Sequence, residues 1–368
     1  MGLVRAATVL SISVIVLASV GAPATAAELY VVPPSIDPSG TRDVTADLIT
    51  FVAGVPDGST IVFQPGGRYR IEGTFLTEAR HNLVFEGNNA AFFATTEGIR
   101  NRSHWRFNHS TGITVRDVVV TGANEDAGVD GPYLYEREAQ HGFAIEGSSD
   151  VTLERVRVTD VWGDLVYIDK HAGVNSQRVS VRDSFLEGSG RQGLGIAAGE
   201  DIIIERNWIA GIRRSTIALE PHNPNQGIRR VLIRDNEIGP GRFYFVAAGG
   251  MAAPMEDITI LHNRMHGKVP SVTVRGHPQL RRQRIIIAGN VSDTNSNHPV
   301  FTFRWVDGVL VVANTVALRE PKEAISAVET FDSCYVTVAG NDFGEAGPLA
   351  VMSANSCPGR NAIGLPPE

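Results

Sequence analysis

The chain has 368 residues, 43% of them hydrophobic but only 7% aromatic, with 38 Gly, 2 Cys and a formal net charge of −7. That balance excludes a broad basic surface for nucleic acid and points to a core of Val, Ile, Leu and Ala. Length alone allows two average domains or one elongated one.

The opening residues, MGLVRAATVLSISVIVLASVGAPATAAE, place one Arg before an apolar run from Ala6 to Val20 and end on Ala24-Thr25-Ala26. This is the layout of a secretory signal peptide over 1–26, cleaved near Ala26. The apolar run is short for a spanning helix. A secreted, extracellular protein with no membrane association after cleavage is expected. In such an oxidising setting Cys334 and Cys357 are free to pair.

Residues 27–60 read as an N-terminal segment. Within it DVTADLITFVA (43–53) carries Val44, Leu48 and Val52 at helical spacing behind Asp43, a residue able to cap. A short helix there would cover an open sheet end. PDGSTIVFQPGGRYRI (56–71) then reads as turn, strand, turn, strand.

From 61 to 355 the chain repeats. IIIERN (202–207), VLIRDN (231–236), ITILHN (258–263), IIIAGN (285–290), VLVVAN (309–314) and VTVAGN (336–341) each end an aliphatic alternation in Asn. The spacing from Asn207 to Asn341 averages about 27 residues per step. A second strand follows each: FAIE (143–146), VYID (166–169), LGIA (194–197), IALE (217–220), VTVR (272–275) and FTFR (301–304). Residues 356–368 are left as a C-terminal tail. The first and third places of each strand face inward and the second and fourth outward. Equivalent strands stacked at about 4.8 Å give parallel sheets, with the Asn side chains forming a hydrogen-bonded ladder in the turn. Val and Ile in place of Leu, and no helix between strands, favour this over a leucine-rich repeat. The expected architecture is all-β, a right-handed parallel β-helix solenoid with an N-terminal helical cap.

On the Asn turn and the strand that follows it, the chain resembles the pectate-lyase-like β-helix superfamily over about residues 40–355. The resemblance implies a substrate groove along the sheet after the Asn turn, where a polysaccharide partner could lie; a monomer is expected. It does not extend to catalytic motifs. The Asn-Thr-Asp, Asp-Asp, Gly-His-Gly and Arg-Ile-Lys series of polygalacturonases is missing. His-Gly at 141–142 and 266–267 lacks a preceding Gly, and YIDKH only loosely echoes the Trp-Ile-Asp-His of pectate lyases.

Aligned strands bring residues of one column together. The fourth place reads Glu146, Asp169, Ala197, Glu220, Ala247, Arg275, Arg304, and two places on stand His171, His222 and His277. Charge-then-His thus recurs as a stripe along one edge. Tyr167 and Phe245 are expected in the outward second-place column, placed to stack on sugars, and Arg191 and Gln192 sit just before the LGIA strand. The long insertion GANEDAGVDGPYLYEREAQ (122–140) is expected to bring Glu125, Asp126, Asp130, Tyr133 and Tyr135 near Glu146.

Two chemistries fit these residue types. In a lyase, Glu146 and Asp169 would hold Ca²⁺ and a Lys, Arg or His would take the uronate α-proton, Lys170 and His171 being nearest and Arg275 falling in a different subsite; His222 is a further catalytic candidate of the stripe. In a glycoside hydrolase, Asp169 and Glu220 would be the acid and base, about 10 Å apart. Substrate contacts would come from Tyr167, Arg191, Gln192, Phe245, His277 and Arg304. A non-catalytic glycan-binding surface protein is the remaining alternative.

Overall fold

The computed structural model describes residues 28–128, 131–267, 272–293, 299–316 and 327–343, with short pieces at 350–352, 357, 360 and 362–365. The proposed signal peptide and Asp130 lie outside them. The described chain is a parallel β-solenoid of about eleven turns. Each turn supplies one strand to an eleven-stranded parallel sheet, and most add one or two to a twenty-two-stranded sheet. One turn runs Val166–Asp169, Ser176–Arg182, Phe185–Ser189. No helix among the described residues is long and apolar enough to cross a membrane.

The alternation of the repeat accounts for the core. Val151, Val179, Ile202, Val231, Ile258 and Ile285 stack in register. Phe143, Val166, Leu194, Ile217 and Val246 face them from the other sheet, and all are buried. The sheets reach beyond 61–355 at both ends: Leu29–Val31 pairs with Thr60–Val62, and Ala362–Leu365 with Cys334–Ala339. Cys334 and Cys357 are joined in a disulfide.

The helix Thr45–Gly54 buries Thr45, Leu48 and Val52 and lies against Phe75–Glu78, the end strand of the eleven-stranded sheet. Its N-cap position is Val44, with no side-chain cap. Asp43, one place earlier, accepts the Thr45 amide at 3.0 Å.

The Asn turn forms the expected ladder. The amide nitrogen of Asn207 donates to the backbone carbonyl of Val181 at 2.9 Å, and its Nδ2 and backbone N–H both donate to Asn236 Oδ1 at 3.0 Å. The same pattern runs through Asn263, Asn290 and Asn314 to Asn341. The residue before each Asn is left-handed: Arg206, Asp235, His262 and Ala313 have φ of 51–54° and Gly289 63°. Two such edge columns alternate in charge. In one, Arg155 pairs with Asp117 and Arg206 with Asp183. In the other, Arg178, Arg230 and Arg284 pair with Asp150, Asp201 and Asp257.

Asn263→Ala orphans the Asn236 donors and the Ile233 carbonyl, all enclosed. It is expected to cost about 3 kcal/mol, whereas the exposed Arg178→Ala costs under about 1 kcal/mol. Urea unfolding of the two variants checks this difference.

Candidate active site

The groove is built where turns of unequal length meet. Leu194–Ile196 is followed almost directly by Gly199–Glu205, whereas Ile217–Leu219 is followed by a loop before Ile228–Arg234. That loop folds back across the short turn onto the preceding rung. Gln226, nearly fully buried, donates from Nε2 to Asp169 Oδ1 at 2.6 Å, and its Oε1 accepts the amides of His222 and Asn223. Asn223 Oδ1 accepts from Lys170 Nζ at 3.1 Å. YIDKH and ALEPH, separate in sequence, are thereby drawn into one site.

Asp169 takes two further donors. The Tyr167 hydroxyl donates to Oδ2 at 2.8 Å and the Lys170 amide to Oδ1 at 2.7 Å. The Tyr167 ring lies between two imidazoles, flat against His141 at 4.5 Å and more loosely against His222 at 6.5 Å. Burial, reinforced by the Asp169 anion, raises the phenol far above its ordinary value, so Tyr167 is protonated.

Behind Tyr167 lies a second, enclosed network. Asp164 has no exposed surface, and its carboxylate lies over Gly195, where a Cβ would come within 2.2 Å of Oδ2. Arg191 Nη1 donates to its two oxygens at 2.9 and 2.7 Å, and Nη2 reaches Glu220 Oε2 at 3.3 Å. Burial pushes the Asp164 carboxyl up to about 6 against the pull of Arg191. For Arg191 burial works against the charge, but Asp164 and Glu220 outweigh it and hold the guanidinium above its ordinary value. His141 Nδ1 accepts the Asp164 amide at 3.0 Å. Burial, then Arg191 and Arg106, hold this imidazole well below its ordinary value, so it is neutral with its proton on Nε2.

No family model matches the chain, and no curated protein matches it in sequence. Solved structures do. The family 28 exopolygalacturonase of Yersinia enterocolitica superposes with a TM-score of 0.66 at 10% identity, over 93% of this chain and 78% of that one. PfbA, a surface adhesin of Streptococcus pneumoniae, gives 0.57 at 14%, over 89% and 93%. An alginate lyase from Paenibacillus sp. str. FPU-7 gives 0.56 at 11%, over 86% and 97%. The chain shares the parallel β-helix fold of these proteins. At these identities the likeness is one of fold alone.

Within this β-helix, Tyr167, Asp169, Lys170, Arg191, Glu220 and His222 come together. Gln192 is buried beside them, its amide donating to Asp164 and its Oε1 accepting from Ser215. Glu146 pairs in register with Asp169, at the rim. Burial raises its carboxyl despite Arg106 at 3.7 Å, and Asp169 adds to the rise. His171 packs edge-on to His109.

Other expected residues stand elsewhere. Arg275 and Arg304 lie further along the sheet, both over the Trp305 ring. His277 is exposed in a tight turn, bridging to Leu280. Phe245 does not stand in the outward column: Ala247, not Phe245, pairs with Ala218, so Phe245 precedes the strand and is buried in the core. The same register puts Gly249, not Ala247, beside Glu220.

The long insertion is pinned by Trp162 Nε1 to the Leu134 carbonyl at 2.8 Å and by Arg213 to the carbonyls of Gly131 and Pro132. Tyr133 bonds Glu138 and packs against Trp162. Glu125 and Asp126 line a separate cavity of about 1070 Å³, with Arg68 and Asp160, whose lining does not include Glu146. His141, Asp164, Asn223 and Gln226 escape column reasoning because they lie in turns. Only the His-Gly pair at 141–142 signals one of them.

Ca²⁺ needs six to eight oxygen ligands. Here Asp169 is filled by an amide, a phenol and a backbone N–H, while Glu146 faces Arg106. No group of three or more His, Cys, Asp or Glu among the described residues is placed to hold a metal. Asp169 and Glu146, the residues that would hold the ion, supply at most part of such a ligand set in this arrangement.

The titration of Asp164 gives a signed test. Its folded value lies above the unfolded one, so the group takes up a proton on folding between about pH 4 and 6. Its stabilising contribution is complete below that window and lost as pH rises through about 6. Thermal unfolding from pH 4 to 7 should therefore show wild type losing up to about 3 kcal/mol relative to Asp164→Asn.

Proposed function

We propose that this protein is exported and acts on an acidic, uronate-containing polysaccharide by β-elimination at Tyr167. The observation that carries the reading is the Tyr167 hydroxyl held on Asp169, with Lys170 and His222 gathered around it through Gln226 and Asn223. Lys170 donates to the neutral Asn223 oxygen, and no carboxylate lies within ion-pair distance of it among the described residues. It is the cation for the uronate carboxylate, and neutralising that carboxylate acidifies the neighbouring C–H. His222, exposed at the groove, is the base. It takes the proton, the C–H electrons form the double bond, and the adjacent C–O bond to the leaving sugar breaks. Tyr167 then supplies the proton to the leaving oxygen. A phenol held protonated by burial keeps its proton until an alkoxide develops.

The rung repeat of about 4.8 Å is close to one sugar unit and suits a polysaccharide lying along the groove. The exopolygalacturonase and the alginate lyase support a polysaccharide partner, and the surface adhesin supports a place outside the cell.

Hydrolysis by Asp169 and Glu220 is the second reading, favoured by their two-rung separation of about 10 Å, at the upper edge of the inverting range. Against it, Asp169 is filled with donors and Glu220 is engaged by Arg191, so neither is poised to hand over a proton.

The chain from Ala27 should be assayed on uronate-containing and neutral polysaccharides, following ultraviolet absorbance and new reducing ends together. Both signals should rise on uronate polymers, and the rate should survive chelation of divalent ions. Tyr167→Phe should lose at least about 100-fold, and Asp169→Ala and Glu220→Ala should also lose activity. Reducing ends without absorbance would mean hydrolysis, and neither signal would leave a glycan-binding protein.

A further inference from the structure

Two aromatic side chains stand exposed beside the groove. In the run Arg242-Phe243-Tyr244-Phe245, Phe245 turns into the core while Phe243 and Tyr244 are 45% and 37% exposed. They wall a cleft of about 340 Å³ floored by Ala218 and Ala247, with Glu220 on its lining. The floor is low because the outward column that holds Tyr167 continues as Gly195, Ala218 and Ala247 on successive strands. Side chains drop away just where the rings rise.

Arg214 shares this lining, 43% exposed, with Glu138 at 3.7 Å as its ion-pair partner. The wall is part of the sheet framework. The Thr216 amide donates to the Tyr244 carbonyl at 2.9 Å, and the Phe243 amide to the Arg214 carbonyl at 3.4 Å.

Exposed rings over an apolar floor, with a guanidinium at the margin, match a pyranose that carries a carboxylate. The C–H face of the sugar packs on the ring and the carboxylate meets the arginine. We infer that this cleft is a remote subsite for one unit of a uronate oligosaccharide. It lies two to three rungs from Tyr167, about 10–14 Å, or two to three sugar units away. The carboxylate part of this inference rests on the acidic-polysaccharide reading above; the aromatic part does not. Binding energy gained there is available to hold the reacting unit against Tyr167.

The consequence is a threshold in chain length. Affinity for oligogalacturonates and oligomannuronates of two to six units, with cello-oligosaccharides as neutral controls, can be measured by calorimetry. Turnover can be measured where it occurs. Affinity or kcat/KM should rise about tenfold once the oligomer spans from Tyr167 to the cleft, an increment of about 1.4 kcal/mol. Tyr244→Ala should abolish the rise and leave the shortest oligomers unchanged. Arg214→Ala should weaken only the uronate series. Unaltered thermal unfolding of both variants confirms that the fold is intact. The inference is overturned if Tyr244→Ala keeps the wild-type length dependence. Length-dependent binding lost in Tyr244→Ala, but without turnover of any oligomer, would uphold the subsite and remove the catalytic reading.

Discussion

The structure depends on one constraint: each turn must present its backbone to the next at the spacing of paired strands. Parallel ladders satisfy the amides of the straight segments, but a corner has no ladder. The Asn column supplies the missing partners. Each side chain accepts the amides of the rung before it and donates to a strand carbonyl, so the corner is as fully bonded as the sheet. The left-handed residue before each Asn makes the corner sharp, and Asp and Arg side chains in this column and in the second edge column meet opposite charge on the neighbouring rung. A slip of one rung would set like charge on like, so these columns help specify register as well as adding modest stability.

A rigid rung spacing also decides how a site can be made. The sheet offers columns of side chains at fixed intervals, and chemistry arises where turns break that uniformity. The near-absence of a turn after Leu194–Ile196 leaves room for the loop after Ile217–Leu219 to bend back onto Asp169 and Lys170. Gly195 matters for the same reason, since the Asp164 carboxylate occupies the place of a side chain there. Placing Asp164 and Arg191 out of water is costly. The return is a guanidinium fixed between two carboxylates and a neutral His141 against Tyr167.

The fold carries several chemistries, so the groove has to be read from its own side chains. The proposed acidic polymer rests on three features: Lys170 without a carboxylate partner among the described residues, a buried protonated phenol, and an aromatic wall beside Arg214.

The parallel solenoid was legible in the chain because it follows from local periodicity. Aliphatic alternation sets the faces, and Asn recurring at the corner sets the repeat. The stripe of Glu146, Asp169, Glu220 and the neighbouring histidines was legible for the same reason: residues on paired strands inherit a neighbour from the register. Phe245 marks the limit: the register lies two places from the one the columns suggest, so Ala247 takes the outward place beside Ala218 and Phe245 falls before the strand, in the core. Turn residues were beyond reach. His141, Asp164, Asn223 and Gln226 meet Tyr167, Asp169, Lys170 and Arg191 across rungs, through loops whose course depends on what the adjacent turn leaves open. By itself the sequence determined the stack and its columns, since these repeat. Which side chains bond within the groove was decided by the tertiary structure, where the irregular turns close against one another.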